Sequence, residues 1–427
     1  MGSSINLQAV ARLLDPADAD FHRQTIADLL HRHVLTFPGA QPVSFARHHL
    51  QQLQQHDYFM CEKTDGIRCL LFLTQIFIDG EPREAQFLID RKNDYYYIPG
   101  DSIHIPMPDD LFKYHGPTLL DGELVRQTFK DGSERLAYLI FDLLAIDNED
   151  VTSKQFDKRL ARVQDRVIKP YRNFAKQYPD DVAHQPFQIE MKKMEFSYGM
   201  EMMFRDKIPN LPHGNDGLIF TRTGTPYMSG TDQNILKWKP PHENTIDFRL
   251  IIGEFPVLED DDGQYEDYDA KPEVYLYVNE GGRTGYSEYA TLGLTDNEWA
   301  CIKRLHQAID GRIVECFRDP VTKSWRPKIE KDGSPRFRDD KTDGNHISVV
   351  NSVIESIEDA VTERDLIDAA GDIKRGVKHR QAVQKEEDRK IAEAEKRRRV
   401  EEDAKRKEGE TERNAIEEVD DGPTYED

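Results

Sequence analysis

The sequence predicts an α+β protein with a small second β domain towards its C-terminal end. Strand-like alternation of apolar residues recurs between residues 58 and 240, interrupted by helical spacing at about 153–178. After residue 245 the pattern changes to short strands joined by acidic or Gly-rich loops, with one helical segment among them. We therefore expect antiparallel sheets flanked by helices, followed by a five-stranded β-barrel of the oligonucleotide/oligosaccharide-binding (OB) type.

Composition and charge exclude several other classes of protein. The chain has 427 residues, 37% of them hydrophobic, which is enough for two or three domains with buried cores. Its four cysteines form no CxxC pair or Cys/His cluster, so we expect neither a disulfide framework nor a zinc site. No stretch resembles a secretory leader or a bilayer span, which predicts no membrane association. The net charge of −22 argues against binding nucleic acid by overall positive potential, although a local basic groove is compatible with it.

The first 68 residues contain a lysine, Lys63, next to an Asp-Gly pair. Residues 1–36 have helical spacing broken at Asp15-Pro16, and the Pro- and Gly-rich stretch 37–44 reads as a loop before a short helix ending near Leu53. The predicted strand Tyr58–Cys61 is followed by Glu62-Lys63-Thr64-Asp65-Gly66-Ile67-Arg68. We interpret Asp65-Gly66 as the turn of a hairpin. This turn would place Lys63 at the edge of a sheet, facing a groove.

The Asp-Gly pair recurs twice, in Asp121-Gly122-Glu123 and in Asp216-Gly217. Each repeat is interpreted as the same strand–turn–strand design. Glu123 would point into a partly buried space, where a charge needs a cation, a metal or a hydroxyl partner. The strand at 85–91 ends in Asp90-Arg91, a pair that suits either a substrate contact or a surface ion pair.

Two later strands carry lysines among apolar residues. In residues 187–193, alternation predicts that Lys193 shares a face with Phe187, Ile189 and Met191. In residues 233–240, Lys237 and Lys239 share the face opposite Leu236 and Trp238. Adjacent ammonium groups repel, so this pair either faces water or holds an anion. By composition alone, Phe141 in the apolar strand 138–146 is a core residue.

Four segments follow from these patterns. Residues 1–245 form the first domain, and residues 246–346 form the OB-type barrel. Residues 347–373 have apolar positions at helical spacing, which predicts a helix that packs back on the first domain. Residues 374–427 are almost entirely charged and are expected to be a solvated helical or disordered tail.

Taken together, the motifs resemble those of the covalent nucleotidyltransferases. Within that superfamily the chain is similar to the eukaryotic mRNA capping guanylyltransferases of the fungal form, which lacks a fused phosphatase, over about residues 37–357. The segment Leu236-Lys237-Trp238-Lys239-Pro240 and the element Arg338-Asp339-Asp340-Lys341 favour capping enzymes over ligases. The other motifs that carry the resemblance are Lys63–Arg68, Asp90-Arg91, Asp121-Gly122-Glu123, Tyr138–Leu144 and Asp216-Gly217-Leu218-Ile219.

The resemblance implies a reaction and a role for each motif residue. Residues 1–245 would be the nucleotidyltransferase domain, in which Lys63 attacks the α-phosphate of GTP and carries GMP to the 5′-diphosphate end of RNA. A lysine attacks only as the neutral amine. The resemblance places Arg68 and Glu123 at the ribose hydroxyls, Arg91 on the ribose or phosphate side, and Lys237 and Lys239 at the α-phosphate. Phe141 would stack on guanine, and Lys193 would contact a base edge, with adjacent Lys192 an equal match. Thr64 is a further implied GTP contact.

The OB domain would act as a lid over this site. By resemblance, Asp216 helps to hold Mg²⁺ or Mn²⁺, and Asp247 meets the phosphate-binding cluster at the domain junction. Arg338, Asp340 and Lys341 would reach the β- and γ-phosphates when the lid closes. The chain departs from the family pattern after this element, since Asp343-Gly344-Asn345 replaces the usual proline.

Partners are implied by the resemblance alone. The chain has no Cys-x5-Arg phosphatase loop, so a separate RNA 5′-triphosphatase is expected. The phosphorylated C-terminal tail of RNA polymerase II is a second expected partner, and the nucleus is the expected compartment. The basic run Lys396-Arg397-Arg398-Arg399, followed by Lys405-Arg406-Lys407, reads either as a nuclear-import patch or as a charge-mixed helix.

Two alternatives share many of these features. An ATP-dependent polynucleotide ligase would also use Lys63 and the Asp-Gly elements, but it would end in a different basic motif. A non-catalytic scaffold that binds RNA or the polymerase would retain the fold, yet it would have no need of intact Lys63, Asp216 and Lys237.

Overall fold

The α+β class is confirmed by a computed structural model of the chain. The structure describes residues 5–99, 102–260, 263–282, 285–319, 321–330 and 332–420, with the backbone alone for His242 and residues 403–420. In chain order the strands are β1 Arg12–Leu13, β2 Ala40–Ser44, β3 Tyr58–Thr64, β4 Ile67–Ile78, β5 Glu81–Ile89, β6 Tyr95–Ile98, β7 Thr118–Thr128, β8 Glu134–Ile146, β9 Glu149–Asp150, β10 Gln188–Met191, β11 Glu195–Phe196, β12 Asn215–Arg222, β13 Gly230–Trp238, β14 Thr245–Ile252, β15 Val257–Asp260, β16 Gly263–Glu266, β17 Val274–Gly281, β18 Gly285–Thr291, β19 Ile313–Arg318 and β20 Trp325–Pro327.

The helices surround these strands. In chain order they are α1 Pro16–Leu29, α2 His48–Gln55, α3 Phe156–Arg162, α4 Lys169–Gln177, α5 Pro179–Ala183, α6 Met200–Met202, α7 Asp296–Arg304, α8 Ile347–Glu358 and α9 Glu363–Asp420. Short 3₁₀ segments lie at Leu7–Ala9, Ile208–Asn210 and Pro241–Glu243, and π-helical turns lie at Val163–Ile168 and Met203–Lys207. Across the described ranges, no helix combines the length and the apolar character that a membrane span requires.

Two sheets build the first domain. One has the strand order β1-β6-β5-β4-β7-β8-β10, with β9 paired to β8, and the other has the order β11-β3-β12-β13-β2. Most pairs are antiparallel as expected, but β8 with β10 and β2 with β13 are parallel. The first sheet is covered on both faces, which explains the unbroken apolar run in β4: Leu71 packs towards the α4 side, and Phe72 packs towards α1.

The hairpin interpretation of Asp65-Gly66 is wrong. Strand β3 belongs to the second sheet and β4 to the first, so this dipeptide carries the chain from one sheet to the other. Gly66 is needed for close approach, because a Cβ there would overlap the carbonyl oxygen of Leu124 in β7. The other two Asp-Gly pairs lie within single strands, β7 and β12, next to irregularities in the ladder. All three are therefore sites of tight strand packing and not turns.

The N-terminal segment also differs from the prediction. Arg12–Leu13 is a strand paired with Tyr96 and Tyr97, and the helix begins only after Asp15. The Asp15 carboxylate accepts hydrogen bonds from the backbone N–H groups of Ala17 and Asp18, so Asp15-Pro16 starts a helix where we expected an interruption between two helices. Part of the expected loop 37–44 is strand β2.

The predicted lid domain, residues 246–346, contains a five-stranded sheet, as expected. Its sheet has the order β18-β17-β14-β19-β20, and a bridge between Leu292 and Trp325 brings the two edges together. Helix α7 begins with a capping box between Thr295 and Glu298. The exposed hairpin of β15 and β16 was not predicted, because its sequence is too acidic to suggest paired strands.

The predicted helix 347–373 is two helices with different partners. Helix α8 packs on the core of the lid through Val350. The chain breaks at Asp359–Thr362, where the Arg47 side chain donates to the Asp359 carboxylate and to the carbonyl of Ala360. Helix α9 then packs on the first domain and extends to residue 420, so the expected tail is helical over its described part. Its contact with that domain extends beyond the predicted boundary at 374, since Val377 is buried and Arg380 pairs with Asp57.

Gly376 decides how closely α9 approaches α2. A Cβ at this position would overlap the carbonyl oxygen of Gln54 at the end of α2. We expect Gly376→Ala to destabilise the protein by about 1–3 kcal/mol, because the backbone must move to relieve the overlap. At exposed Gly371, where the nearest atom to a Cβ is a flexible Arg375 nitrogen at 3.8 Å, alanine should instead stabilise by about 0.5–1 kcal/mol.

Thermal unfolding of the two variants beside the parent checks this prediction. Opposite shifts of the midpoint are expected, downward for Gly376→Ala and upward for Gly371→Ala. Equal upward shifts would mean that α9 does not dock on α2.

Candidate active site

A cavity of about 450 Å³ lies between the two sheets of the first domain. Both sheets contribute to its walls, and one side chain of the lid, Lys341, reaches it. The polar and aromatic lining residues that the sequence singled out are Lys63, Thr64, Arg68, Arg91, Glu123, Phe141, Lys192, Lys237, Lys239 and Lys341. The structure therefore brings together motifs that are up to 278 residues apart in sequence, counted from Lys63 to Lys341.

Lys63 sits at an ionic cluster at the end of β3. Its Nζ donates to Oδ1 of Asp216 at 2.6 Å, and Nζ of Lys239 lies 2.7 Å from Oδ2 of the same carboxylate. Burial opposes the charge on Asp216, but Lys63 and Lys239 outweigh it and hold the pKa of Asp216 below its ordinary value. Burial, together with Lys239, Lys63 and Arg91, lowers the pKa of Lys237. Positive charge is thus crowded around a single carboxylate.

Cys61 is a second potential nucleophile in the same cavity. Burial raises the pKa of its thiol to about 12, so the thiol stays protonated near neutral pH. Because only the thiolate is reactive, this environment disfavours Cys61 as a nucleophile.

Arg68 is fixed by three acceptors. Its Nε and Nη2 donate to the two oxygens of Asp121 at 3.1 and 2.7 Å, and its Nη1 donates to the carbonyl of Ala40. Tyr227 also donates to Asp121, at 2.6 Å. Asp121 is fully buried, so this carboxylate holds the Arg68 guanidinium in one orientation beside the ring of Phe141.

Glu123 has the partners that its buried charge requires. Its oxygens accept from the Thr64 hydroxyl and, at 3.1 Å, from the backbone N–H of Gly66. Lys192 donates to the Thr64 hydroxyl at 2.7 Å and lies 3.5 Å from Glu123. The resulting cluster of Thr64, Glu123 and Lys192 lies on the same side of the cavity as Phe141, whose ring is 5.5 Å from the Lys192 ammonium.

The assignment of Lys193 to the site is not supported, and Lys192 takes its place. Phe187 and Ile189 face the helix-covered core, so side chains of the opposite parity face the cavity, and β10 ends at Met191. Lys192 is buried and lines the cavity, whereas Lys193 is exposed. The apolar residues Phe187 and Ile189 could have indicated from the sequence that Lys193 points away from the cavity, because a strand face that packs in the core cannot also face a groove.

The lid residues form their own ionic cluster next to the cavity. Lys341 donates to Asp247, and Arg338 Nη1 lies 3.3 Å from Asp247 Oδ2. Arg338 also forms a two-bond pair with Asp340 at 2.9 and 2.8 Å. Asp247, Arg338 and Asp340 do not line the cavity, whereas Lys341 does.

Sequence reasoning gave no role to several residues that shape the site. Asp121 was noted only as part of an Asp-Gly pair, and Tyr227 follows a Thr-Pro loop that carries no recognisable signal. Asp142 and Phe156 also line the cavity. Their roles depend on contacts between strands that are distant in sequence.

Comparison with known proteins gives consistent results. Residues 8–241 match the family described as mRNA capping enzyme, catalytic domain, and residues 243–367 match mRNA capping enzyme, C-terminal domain. Proteins named mRNA-capping enzyme subunit alpha are similar over most of their length. The Neurospora crassa protein is 45% identical, covering 85% of this chain and 92% of its own. The Schizosaccharomyces pombe protein is 46% identical, with 80% and 82% covered, and the Saccharomyces cerevisiae protein is 41% identical, with 80% of each covered.

Some solved DNA ligase structures resemble the chain distantly. A mycobacterial DNA ligase D complexed with ATP and MES is 15% identical, with a TM-score of 0.31 over 71% of this chain and 94% of its own. At this distance the likeness carries no argument about function.

Proposed function

The chain belongs to the mRNA capping enzyme family and is an mRNA guanylyltransferase, and we propose that it transfers GMP from GTP to the 5′-diphosphate end of RNA through an adduct on Lys63. The observation that carries this mechanism is the placement of Lys63. It lies in a cavity beside Lys239, and both lysines pair with the Asp216 carboxylate. The Lys63 side chain is 26% exposed and is therefore accessible to a ligand.

In the first step a bond forms between Lys63 Nζ and the α-phosphorus, and the bond to the bridging oxygen of pyrophosphate breaks. Attack requires the neutral amine, so one proton leaves Nζ. The pKa of Asp216 is held below its ordinary value, so Oδ1 of Asp216, at 2.6 Å, orients the nitrogen while the proton passes to water or to the departing pyrophosphate. In the second step an oxygen of the RNA β-phosphate attacks the same phosphorus, the phosphorus–nitrogen bond breaks, and Nζ takes up a proton from water and leaves as the amine.

The phosphates are held by the crowded cations. Lys237, Lys239 and Arg91 line the cavity, and within the described residues no hydrogen bond or ion pair of the Lys237 or Arg91 side chain is seen. An anion among them removes their mutual repulsion and stabilises charge that develops at the α-phosphate. Lys341, Arg338 and Asp340 would add contacts to the β- and γ-phosphates on closure of the lid, with Asp247 releasing the two cations.

The nucleoside end is recognised on the Phe141 side of the cavity. Phe141 offers a ring for stacking on guanine, and Arg68 and the pair Thr64–Glu123 face it with groups suited to ribose hydroxyls. Lys192 supplies a donor for an oxygen of the base. This arrangement supports GTP as the nucleotide substrate.

A divalent cation fits the donor set only together with the substrate. Among the residues described, no group of three or more His, Cys, Asp or Glu side chains gathers as a metal site. Mg²⁺ and Mn²⁺ bind to one or two carboxylates completed by substrate phosphates and water, and Asp216 is placed to supply one such carboxylate once Lys63 and Lys239 turn to the phosphate. The ion would neutralise charge on the transferring phosphate.

The relatives are named as alpha subunits, which indicates a capping complex with at least one further subunit. We propose that this partner is the RNA 5′-triphosphatase, that the phosphorylated tail of RNA polymerase II recruits the complex, and that it acts in the nucleus. The basic run Lys396–Arg399, which suits either a nuclear-import patch or a charge-mixed helix, lies on the exposed part of α9, whereas the side chains of 405–407 lie outside the described residues.

Labelling with α-³²P nucleotides tests the proposal directly. The purified protein is incubated with Mg²⁺ and labelled GTP or ATP, separated under denaturing conditions, and chased with 5′-diphosphate RNA. Acid-labile label from GTP alone, transferred to RNA in the chase, is expected. Label from ATP would indicate a ligase, and label from neither nucleotide would indicate a scaffold.

The neighbouring lysines of β10 give a sharper test of the nucleoside contacts. We expect Lys192→Met to raise the KM for GTP in adduct formation about 10- to 100-fold, because it removes charge-assisted hydrogen bonds and leaves Glu123 with fewer partners. Lys193→Met, which changes an exposed side chain one residue away, should leave that KM within about twofold. The reverse order of effects would restore Lys193 as the base contact.

A further inference from the structure

A second groove, of about 510 Å³, adjoins the active-site cavity. The two spaces share Arg91 and Gln41 in their walls, so they lie next to each other. The groove lies between the segment that leads into β2 and the loop that follows β5. Its walls include Arg23, Phe37, Gln41, Arg91, Lys92 and Asn93.

The groove is positively charged on an otherwise acidic protein. Its lining includes three cations and no carboxylate, although the chain carries a net charge of −22. Arg23 is already engaged, since it pairs with Asp20 at 2.6 Å and donates to the carbonyl of Asn93. For Arg91 and Lys92, by contrast, the described residues provide no side-chain hydrogen bond or ion pair. The nearby carboxylate of Asp90 instead accepts the backbone N–H groups of Lys92 and Asp94.

Phe37 adds an aromatic wall to this charged groove. Its ring packs against Gly39 so closely that a Cβ at that position would overlap it. Phe37 is only partly buried, with one side against the core that includes Ala40 and Tyr227. The ring is therefore held in place with part of its surface exposed to the groove. Exposed cations beside a fixed aromatic ring are the features by which proteins bind single-stranded nucleic acid.

We propose that this groove binds the first nucleotides of the acceptor RNA, with Lys92 contacting a backbone phosphate and Phe37 stacking against a base. The inference rests on the proposed function and extends it to the path of the RNA. The RNA β-phosphate must reach the α-phosphorus held at Lys63, so the nucleotides that follow must leave the cavity through a space continuous with it. The groove adjoins the cavity at Arg91 and Gln41, which puts it on a path that the RNA can take, and its charge suits a polyanion.

The test separates the two half-reactions. Lys92→Glu reverses a charge in the groove, and Lys130→Glu makes the same change at an exposed lysine between β7 and β8 that lines neither space. Adduct formation from GTP uses no RNA, and GMP transfer from the adduct is measured with a 5′-diphosphate oligoribonucleotide and with ADP, an acceptor that has no further nucleotides.

For Lys92→Glu we expect the KM for the oligoribonucleotide to rise about tenfold, and its dependence on salt concentration to weaken by about one unit of the log–log slope. The KM for ADP and the KM for GTP should change little, and Lys130→Glu should behave as the parent. Equal effects of the two variants, or no effect on the oligoribonucleotide, would overturn the proposal. A raised KM for GTP would assign the groove to the triphosphate and also overturn it. Failure of the parent to form the adduct would instead refute the proposed function.

Discussion

Lys63→Arg is expected to form no covalent guanylate, with a loss of roughly 10⁴-fold or more relative to the parent. The substitution keeps a positive charge beside Asp216 and therefore preserves the ion pair that Lys63 makes at 2.6 Å. A guanidinium is protonated at all accessible pH values and cannot supply the lone pair that attacks phosphorus. Loss of the adduct in a folded protein that still binds GTP would thus assign the nucleophile rather than a structural contact.

The measurement is transfer of label from α-³²P GTP to protein, with GTP affinity measured by equilibrium binding. Lys130→Arg makes the same chemical change at a surface position and should label like the parent. Undiminished label on Lys63→Arg would move the nucleophile to another cavity residue, of which Lys237 and Lys239 are the nearest in chemistry.

The ordered motifs made most of the site predictable, because each lies on a strand whose alternation is visible in the sequence. Lys237 and Lys239 illustrate this, since Leu236 and Trp238 between and beside them are buried and force the lysines to the other face. The roles of Asp121 and Tyr227 were not predictable. Their hydrogen bonds orient Arg68 across strands that are adjacent only after folding.

The errors share a physical cause. Asp-Gly is a frequent turn signal, but here a Cβ would overlap a backbone oxygen of another strand at Gly66 and Gly217, and the Tyr138 ring at Gly122. At Gly217 the backbone also has φ of +150°, a conformation that favours glycine. The boundary near Lys374 was placed by charge composition, whereas the buried contacts of Val377 and the pair of Arg380 with Asp57 depend on which surface the helix meets. The local sequence pattern therefore predicted most helices and strands well, but it did not predict which of them pack against each other.

Asp142→Ala is expected to lower the free energy of unfolding by about 3–5 kcal/mol, the scale of a buried ion pair that loses one partner. Asp142 and Arg159 are 5% and 2% exposed, and the guanidinium donates to both carboxylate oxygens at 2.7 and 2.8 Å. Burial raises the pKa of Asp142, although Arg159 acts in the opposite direction. After the substitution Arg159 keeps only the carbonyls of Lys154 and Thr225 as acceptors, which leaves a buried charge without a counter-ion.

A double substitution distinguishes the ion pair from simple packing. If the cost of Asp142→Ala is the unpaired charge, then Asp142→Leu with Arg159→Leu should be less destabilising than Asp142→Ala alone, because burying two apolar groups requires no counter-ion. Thermal unfolding midpoints check this, with a fall of roughly 6–12 °C expected for the single variant. A double variant that is at least as unstable as the single one would contradict the argument. The pair would then stabilise the protein by packing and not by its charges. Asp142 follows Phe141 in β8 and lines the cavity, so this packing would support the cavity wall.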